Sequence, residues 1–134
     1  MLSASNFCMI NVPIFVESRY KINRKRIKSA VERVLEQEKI LLPSEVSIAI
    51  IGSRKMRGLN KKYRNIDKST NVLSFPQNEG YKTAFPPDKN YLGDIVIAYP
   101  KVIEECARQN MLIDDWIDEL VEHSVMHLLG NHHR

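Results

Sequence analysis

Asp114 to His133 reads D-D-W-I-D-E-L-V-E-H-S-V-M-H-L-L-G-N-H-H. Trp116, Ile117, Leu120, Val121 and Val125 recur in it at three- and four-residue spacing, the period of a helix with one apolar face. Asp114 is a candidate N-cap, and Gly130 a candidate stop, because glycine readily takes the left-handed turn that ends a helix. His123 and His127 are four residues apart, so their imidazoles lie on one helix face, one turn apart. A bend at Gly130 lets the chain fold back and carry His133 toward the same point. Three neutral imidazoles leave one tetrahedral position open, which is the arrangement of a catalytic zinc rather than a closed structural one. A single histidine on an apolar face is more often packed than ligated; three at this spacing predict metal ligands at His123, His127 and His133. One Zn2+ per chain is expected, with another divalent ion as the alternative. His132 is either a neighbour of the site, an exposed side chain or an alternative ligand.

Working outward from this helix, strands and helices alternate early and helices dominate late, without repeats or low-complexity tracts. Met9 to Val16 predicts a first strand whose Pro13 suits a sheet edge. Asn23 is placed to cap a helix with Ile27, Ala30, Val31, Val34 and Leu35 inward, ending near Pro43. Val46 to Ile51 reads as a buried strand. Gly52 and Ser53 then turn into a second helix, with Met56, Leu59 and Tyr63 on its inner side. Asn71 to Phe75 is a short strand, and Pro76 to Asn90 a long surface loop with a lid or substrate-binding role open to it. Leu92 to Tyr99 is the next strand, and Pro100 opens a helix holding Val102, Ile103, Cys106 and Ala107. The expected fold is α+β: one domain over residues 1–134, a small mixed sheet of about four strands packed with four to five helices, the last a zincin-like metal helix.

With 134 residues, 43% of them hydrophobic and 27% charged, the chain has the composition of a folded globular protein and not of a disordered one. Its apolar stretches are strand-sized, far below the roughly 20 residues of a membrane span, so no membrane partner is expected. No secretory pattern occupies residues 1–10, which makes the cytoplasm the expected compartment. Cys8 and Cys106 are far apart and read as reduced, buried thiols. The charge is uneven: Arg54, Lys55, Arg57, Lys61, Lys62, Arg64 and Lys68 with the single acid Asp67 carry +6 of a formal net +4, leaving −2 for the rest. Such a patch suits a polyanionic partner, although a charge run by itself is usually a solvated helix face.

The histidine string resembles the metzincin pattern H-E-x-x-H-x-x-G-x-x-H at every position but one, where Ser124 replaces the glutamate. That glutamate is the general base of peptide hydrolysis. Serine cannot take a proton at neutral pH, and Glu122 is turned about 100° around the helix from His123. A phosphodiester substrate asks instead for cationic neutralisation of the phosphoryl oxygens beside the metal, and the second helix supplies it.

Four blocks are similar to the YbeY family of single-strand-specific endoribonucleases: Leu59-Asn60-Lys61-Lys62-Tyr63-Arg64, Thr70-Asn71-Val72-Leu73-Ser74-Phe75-Pro76, Leu92-Gly93-Asp94-Ile95-Val96-Ile97, and His123 to His133. The resemblance implies a metal-dependent hydrolase with zinc on His123, His127 and His133. Arg64 and His123 would be catalytic, and Arg64, Lys61 and Lys62 would meet single-stranded RNA. It further implies a role in small-subunit rRNA 3′-end processing and ribosome quality control, with rRNA and the ribosomal small subunit as partners. Asn71 stands where that family usually has aspartate, and His132 where it has aspartate before the third ligand. The chain also stops at Arg134, where relatives usually continue into another helix, so the metal is expected to tie this end down or the site to be weaker. Asp94 is a weaker candidate for positioning water, with a structural role equally in view. Tyr63 is a candidate base stacker whose spacing favours the core. Two other readings remain: a non-catalytic ribosome-assembly or RNA-binding factor with a structural metal, and a minimal metzincin-like peptidase, which Ser124 disfavours. The sequence leaves the oligomeric state, the RNA sequence cut and the attacking nucleophile open.

Overall fold

The computed structural model describes residues 10–77 and 90–130. Apolar residues alternate along the strands, which sends them to both faces of a mixed sheet. The strands are β1 (Ile10–Asn11), β2 (Ile14–Val16), β3 (Ser44–Ile51), β4 (Val72–Pro76) and β5 (Asn90–Ala98). β1 and β2 both pair parallel with β3 and occupy one edge, broken at Pro13 as its missing N–H requires. β3 pairs parallel with β5, and β4 closes the other edge antiparallel to β5, with Ser74 opposite Ile95. The result is an α+β architecture with five strand segments.

Among the described residues four helices cover this sheet: α1 (Arg24–Gln37), α2 (Ser53–Arg64), α3 (Tyr99–Gln109) and α4 (Ile113–Leu128). Val46, Ile48, Ile50, Ile95 and Ile97 form the main core with the inward residues of α1, α3 and α4. On the opposite face Ile51, Leu73, Val96 and Ala98 pack on Met56 of α2. α1 buries the expected Ile27, Ala30, Val31, Val34 and Leu35, and the Asn23 side chain accepts from the Arg26 N–H at 3.1 Å. Arg26 reaches Asp115 at 2.9 Å and Asp118 at 2.5 Å, and Arg33 reaches Glu122 at 2.5 Å, so ion pairs tie α1 to α4.

Several boundaries differ from expectation for local reasons. α1 stops at Gln37, well before Pro43, because Lys39 adopts a left-handed conformation and Ile40 N–H turns back to the Leu35 carbonyl. α4 begins after Leu112 without a side-chain cap, so Asp114 is not the cap; with Asp115 it lies in the first turn, where carboxylates suit the positive end of the helix dipole. In α3 Tyr99, Val102 and Cys106 turn inward, whereas Ile103 and Ala107 are exposed. The Cys106 thiol is free and buried, and that burial pushes its pKa up. Cys8 and most of the expected surface loop lie outside the described residues. No described helix is long and apolar enough to cross a membrane.

Candidate active-site cleft

The cleft forms where α4 crosses the edge strand β4. Helical periodicity buries Leu120, Val121, Ser124, Val125 and Leu128, which leaves His123 exposed and His127 half-buried on the adjoining face. Gly130 takes φ 84° and its N–H bonds to the His127 carbonyl at 3.0 Å, the glycine stop read in the sequence. A cleft of about 350 Å³ is lined by Arg64, Val72, Leu73, Ser74, His123, Ser124 and His127. Three sequence-predicted site residues, Arg64, His123 and His127, therefore share one concavity. Lys61 and Lys62 are exposed on the same helix as Arg64 but do not line it. His133, the third predicted ligand, and His132 lie outside the described residues. Among the described residues no three histidine, cysteine or carboxylate side chains converge as a metal cluster.

Ser74 was not singled out by sequence reasoning, yet its Oγ is 2.6 Å from His127 Nδ1. With Nδ1–H donating to the hydroxyl, the lone pair sits on Nε2, the tautomer a ligating imidazole needs. The only signal for it was strand alternation, which turns Ser74 and Val72 to the face carrying α4 and Leu73 and Phe75 to the face carrying α2. Gly93 was likewise missed as a positioning residue. It has φ 144°, and a Cβ there would stand 2.3 Å from the Phe75 carbonyl oxygen and 2.9 Å from Leu128 Cδ2. A side chain at this point would hold β4 and the end of α4 off β5; its absence lets Ser74 approach His127.

Electrostatically the cleft is one-sided, since none of its lining residues is acidic among the described residues. Glu122 points away and is held by Arg33 at 2.5 Å, while Ser124, at the metzincin glutamate position, is only 3% exposed. Of the seven cations on and after α2, Lys55 pairs with Glu17 at 3.2 Å and Arg57 with Asp67 at 2.7 Å. Lysine and backbone donors hold the Glu17 carboxyl below its ordinary range: first the Gly52 N–H at 2.7 Å, then Lys55. Arg57 does the same to Asp67. Among the described residues Arg64 has no carboxylate partner, so its charge remains available to the cleft.

Three other candidates have defined places. Asp94 lies on the face carrying α2, outside the cleft, where its carboxylate accepts from the Ser47 and Tyr91 hydroxyls; burial, chiefly, raises the Tyr91 pKa. Asn71 donates through Nδ2 to Glu105 at 3.1 Å, and Glu105 also accepts from the Trp116 indole at 2.8 Å. An aspartate could not make that donation. Tyr63 is not in the core: it is 56% exposed, because α2 packs through Met56 and Asn60 while its last turn overhangs the edge strand.

By fold and by the residues it gathers, this is a small α+β protein in which α4 presents two histidines, one turn apart, to an arginine across a cleft that no described carboxylate lines. The chain belongs to the endoribonuclease YbeY family, whose model matches residues 14–134. The Acinetobacter baylyi endoribonuclease YbeY is 36% identical over 112 residues, covering 84% of this chain and 70% of that protein. The Bartonella quintana endoribonuclease YbeY is 35% identical over 130 residues, 93% of this chain and 81% of the relative. A solution structure of a Thermotoga maritima protein shares the fold, with TM-score 0.59 and 24% identity over 89% of this chain and 72% of that one.

Proposed function

We propose that the chain is a zinc-dependent endoribonuclease that cuts single-stranded RNA in rRNA maturation at the 3′ end of small-subunit rRNA, and in ribosome quality control. The observation that carries this reading is the one cleft that Arg64, Ser74, His123 and His127 share, with no acidic residue lining it among the described residues. Family membership supports the ribonuclease chemistry.

The donor set fits a divalent metal. His123 and His127 offer imidazoles from one helix face, and the Ser74 contact at 2.6 Å engages Nδ1 of His127, so that a metal would be held through Nε2. His133 is the proposed third ligand. When bound, the ion supplies Lewis-acid polarisation of a phosphoryl oxygen and eases deprotonation of the attacking group. The chain's own residues do the rest. Arg64 binds the scissile phosphate through its planar fork of N–H donors and offsets the charge that grows on the phosphoryl oxygens as the transition state forms. Lys61 and Lys62 hold flanking phosphates on the exposed face of α2. Ser74 fixes the His127 ring, and the buried Ser124 leaves the cleft without the carboxylate base that peptide hydrolysis requires.

The test is cleavage of a labelled single-stranded RNA and of its duplex by the metal-loaded chain and by Arg64→Ala, His123→Ala and His127→Ala variants. Loss of transition-state charge stabilisation predicts a fall of about 10²-fold or more for Arg64→Ala. Metal content should fall from one ion per chain in His127→Ala. Cleavage by all variants at the parental rate would assign the activity to a contaminant and remove the proposal. RNA binding with a full metal complement but no cleavage would establish the assembly-factor reading instead.

A further inference from the structure

We infer that Tyr63, braced by Phe75, is the stacking platform for an unpaired nucleobase next to the phosphate that Arg64 holds. The inference rests on the ribonucleic-acid reading of the cleft and extends it to the way an RNA single strand is distinguished from a duplex.

The Tyr63 ring sits edge-to-face with Phe75, centroids 5.2 Å apart at 67°, and Lys62 Nζ lies 5.2 Å from its centroid. More than half of the residue is nonetheless open to water, at 56% exposure. What sets Tyr63 apart from other exposed apolar side chains is its place, next to Arg64 and braced by a second aromatic, where a flat ligand can lie on the ring. Phe75 fixes the ring's tilt, and Lys62 holds its ammonium over the ring on a flexible, exposed side chain that an incoming base displaces toward its own phosphate. Stacking on such a ring is tolerant of base identity, because every base has a π-face.

Its location supplies the second part of the inference. Tyr63 adjoins Arg64 on α2, and Phe75 adjoins Ser74 on β4. Successive residues of a strand point to opposite faces, so Ser74 reaches His127 on one side of the edge strand while Phe75 meets Tyr63 on the other. β4 is the outer strand of the sheet, so nothing pairs with its free edge among the described residues. A nucleic-acid strand crossing that edge places a phosphate at Arg64 and the adjoining base over Tyr63. A base within a duplex has both faces covered by its neighbours and cannot stack there without being extruded, which makes the platform a filter for single strands.

The other described aromatics do not compete for this role. Tyr99 is buried against Tyr20, with centroids 4.7 Å apart, and Trp116 is committed to Glu105. Phe15 is 59% exposed but belongs to β2 at the opposite edge of the sheet, which makes it a control.

The experiment measures Kd by stopped-flow anisotropy, before cleavage accumulates, for a labelled single-stranded RNA and for copies in which one nucleotide at a time is replaced by an abasic ribose. Loss of one stacked base is expected to weaken binding by about 5- to 150-fold. Tyr63→Ala should show that loss on the intact RNA, Tyr63→Phe should restore binding, and Phe15→Ala should bind as the parent does. One abasic position near the cut should cost the parent the same factor and cost Tyr63→Ala nothing more, the non-additivity of two changes to one contact. The salt dependence should keep its slope in Tyr63→Ala and lose about one unit in Arg64→Ala. Parental affinity in Tyr63→Ala, or abasic losses that simply add to it at every position, would overturn the platform. If that same variant still cleaves single strands, the ribonuclease reading survives. Tyr63-dependent binding without cleavage would support the platform and remove the ribonuclease reading, and no RNA binding would overturn both.

Discussion

Gly93→Ala is the substitution that tests most directly how the cleft is assembled. At φ 144° the backbone occupies a region that L side chains rarely enter, and an added Cβ would stand 2.3 Å from the Phe75 carbonyl oxygen and 3.1 Å from Pro76 Cα. The dihedral alone costs about 1–3 kcal/mol. The carbonyl is part of the β4 backbone and cannot rotate aside, so overpacking adds about 1–3 kcal/mol. The expected total, about 2–6 kcal/mol, is a large share of the roughly 5–15 kcal/mol that stabilises a typical domain. Urea unfolding should register it, and the melting temperature should fall by about 7–20 °C. Because β4 carries Ser74 and α4 carries Leu128, which also meets the new methyl, the strain falls between Ser74 and His127 and should loosen metal binding too. Removing the Leu128 contact in a Gly93→Ala/Leu128→Ala double variant should not restore stability, since the carbonyl clash persists. A loss below about 1 kcal/mol for Gly93→Ala would refute the close-approach argument, and full rescue by the second substitution would move its cause to the side chain.

Three further outcomes follow from individual contacts. Ser74→Ala should keep the fold but lower the affinity for zinc by about 10- to 100-fold in chelator competition, as expected when the partner that orients a ligating imidazole is lost; an affinity within twofold of the parent would mean that the ring is held otherwise. Asn71→Asp should destabilise the chain by about 1–3 kcal/mol at pH 7 by setting a carboxylate against half-buried Glu105. It should recover as acidification protonates one of the two carboxyls, and equal unfolding midpoints at pH 7 and pH 4 relative to the parent would count against this. The carboxyl of Glu17 is held below its ordinary pKa by the Gly52 N–H and Lys55. Its contribution is therefore present above the unfolded value of about 4.3 and lost as pH falls through the folded one. Glu17→Gln should melt below the parent at pH 7, with the gap closing under acid; a gap that widens below pH 4 would reverse the assigned sign.

What the sequence made legible and what it concealed divide along physical lines. The inward residues of α1, the strand break at Pro13 and the glycine stop after α4 were readable because each depends on local spacing or on one residue's backbone freedom. Asp114 was misread as a cap because the first turn of a helix rewards a carboxylate through the dipole just as the cap position does through a hydrogen bond. Tyr63 was misplaced for a different reason. Its spacing from Met56 and Leu59 puts it on the packed side of a helix, but periodicity says nothing about where the underlying surface ends. α2 packs with Met56 and Asn60 inward, while its final turn runs out over β4, with no further strand beyond it among the described residues. The ring thus meets Phe75, carries the Lys62 ammonium over it and is otherwise open to water. Ser74 and Gly93 were hidden by the same limitation, since their roles require β4, β5 and α4 to meet in three dimensions. The residues proposed to ligate a metal or neutralise charge declare themselves by type, whereas those that position them do so only through contacts between elements distant in the chain. A substitution at Ser74 or Gly93 therefore discriminates better than one at His127. Losing a ligand disables any metal site, while losing its support disables only a site built across this particular strand edge.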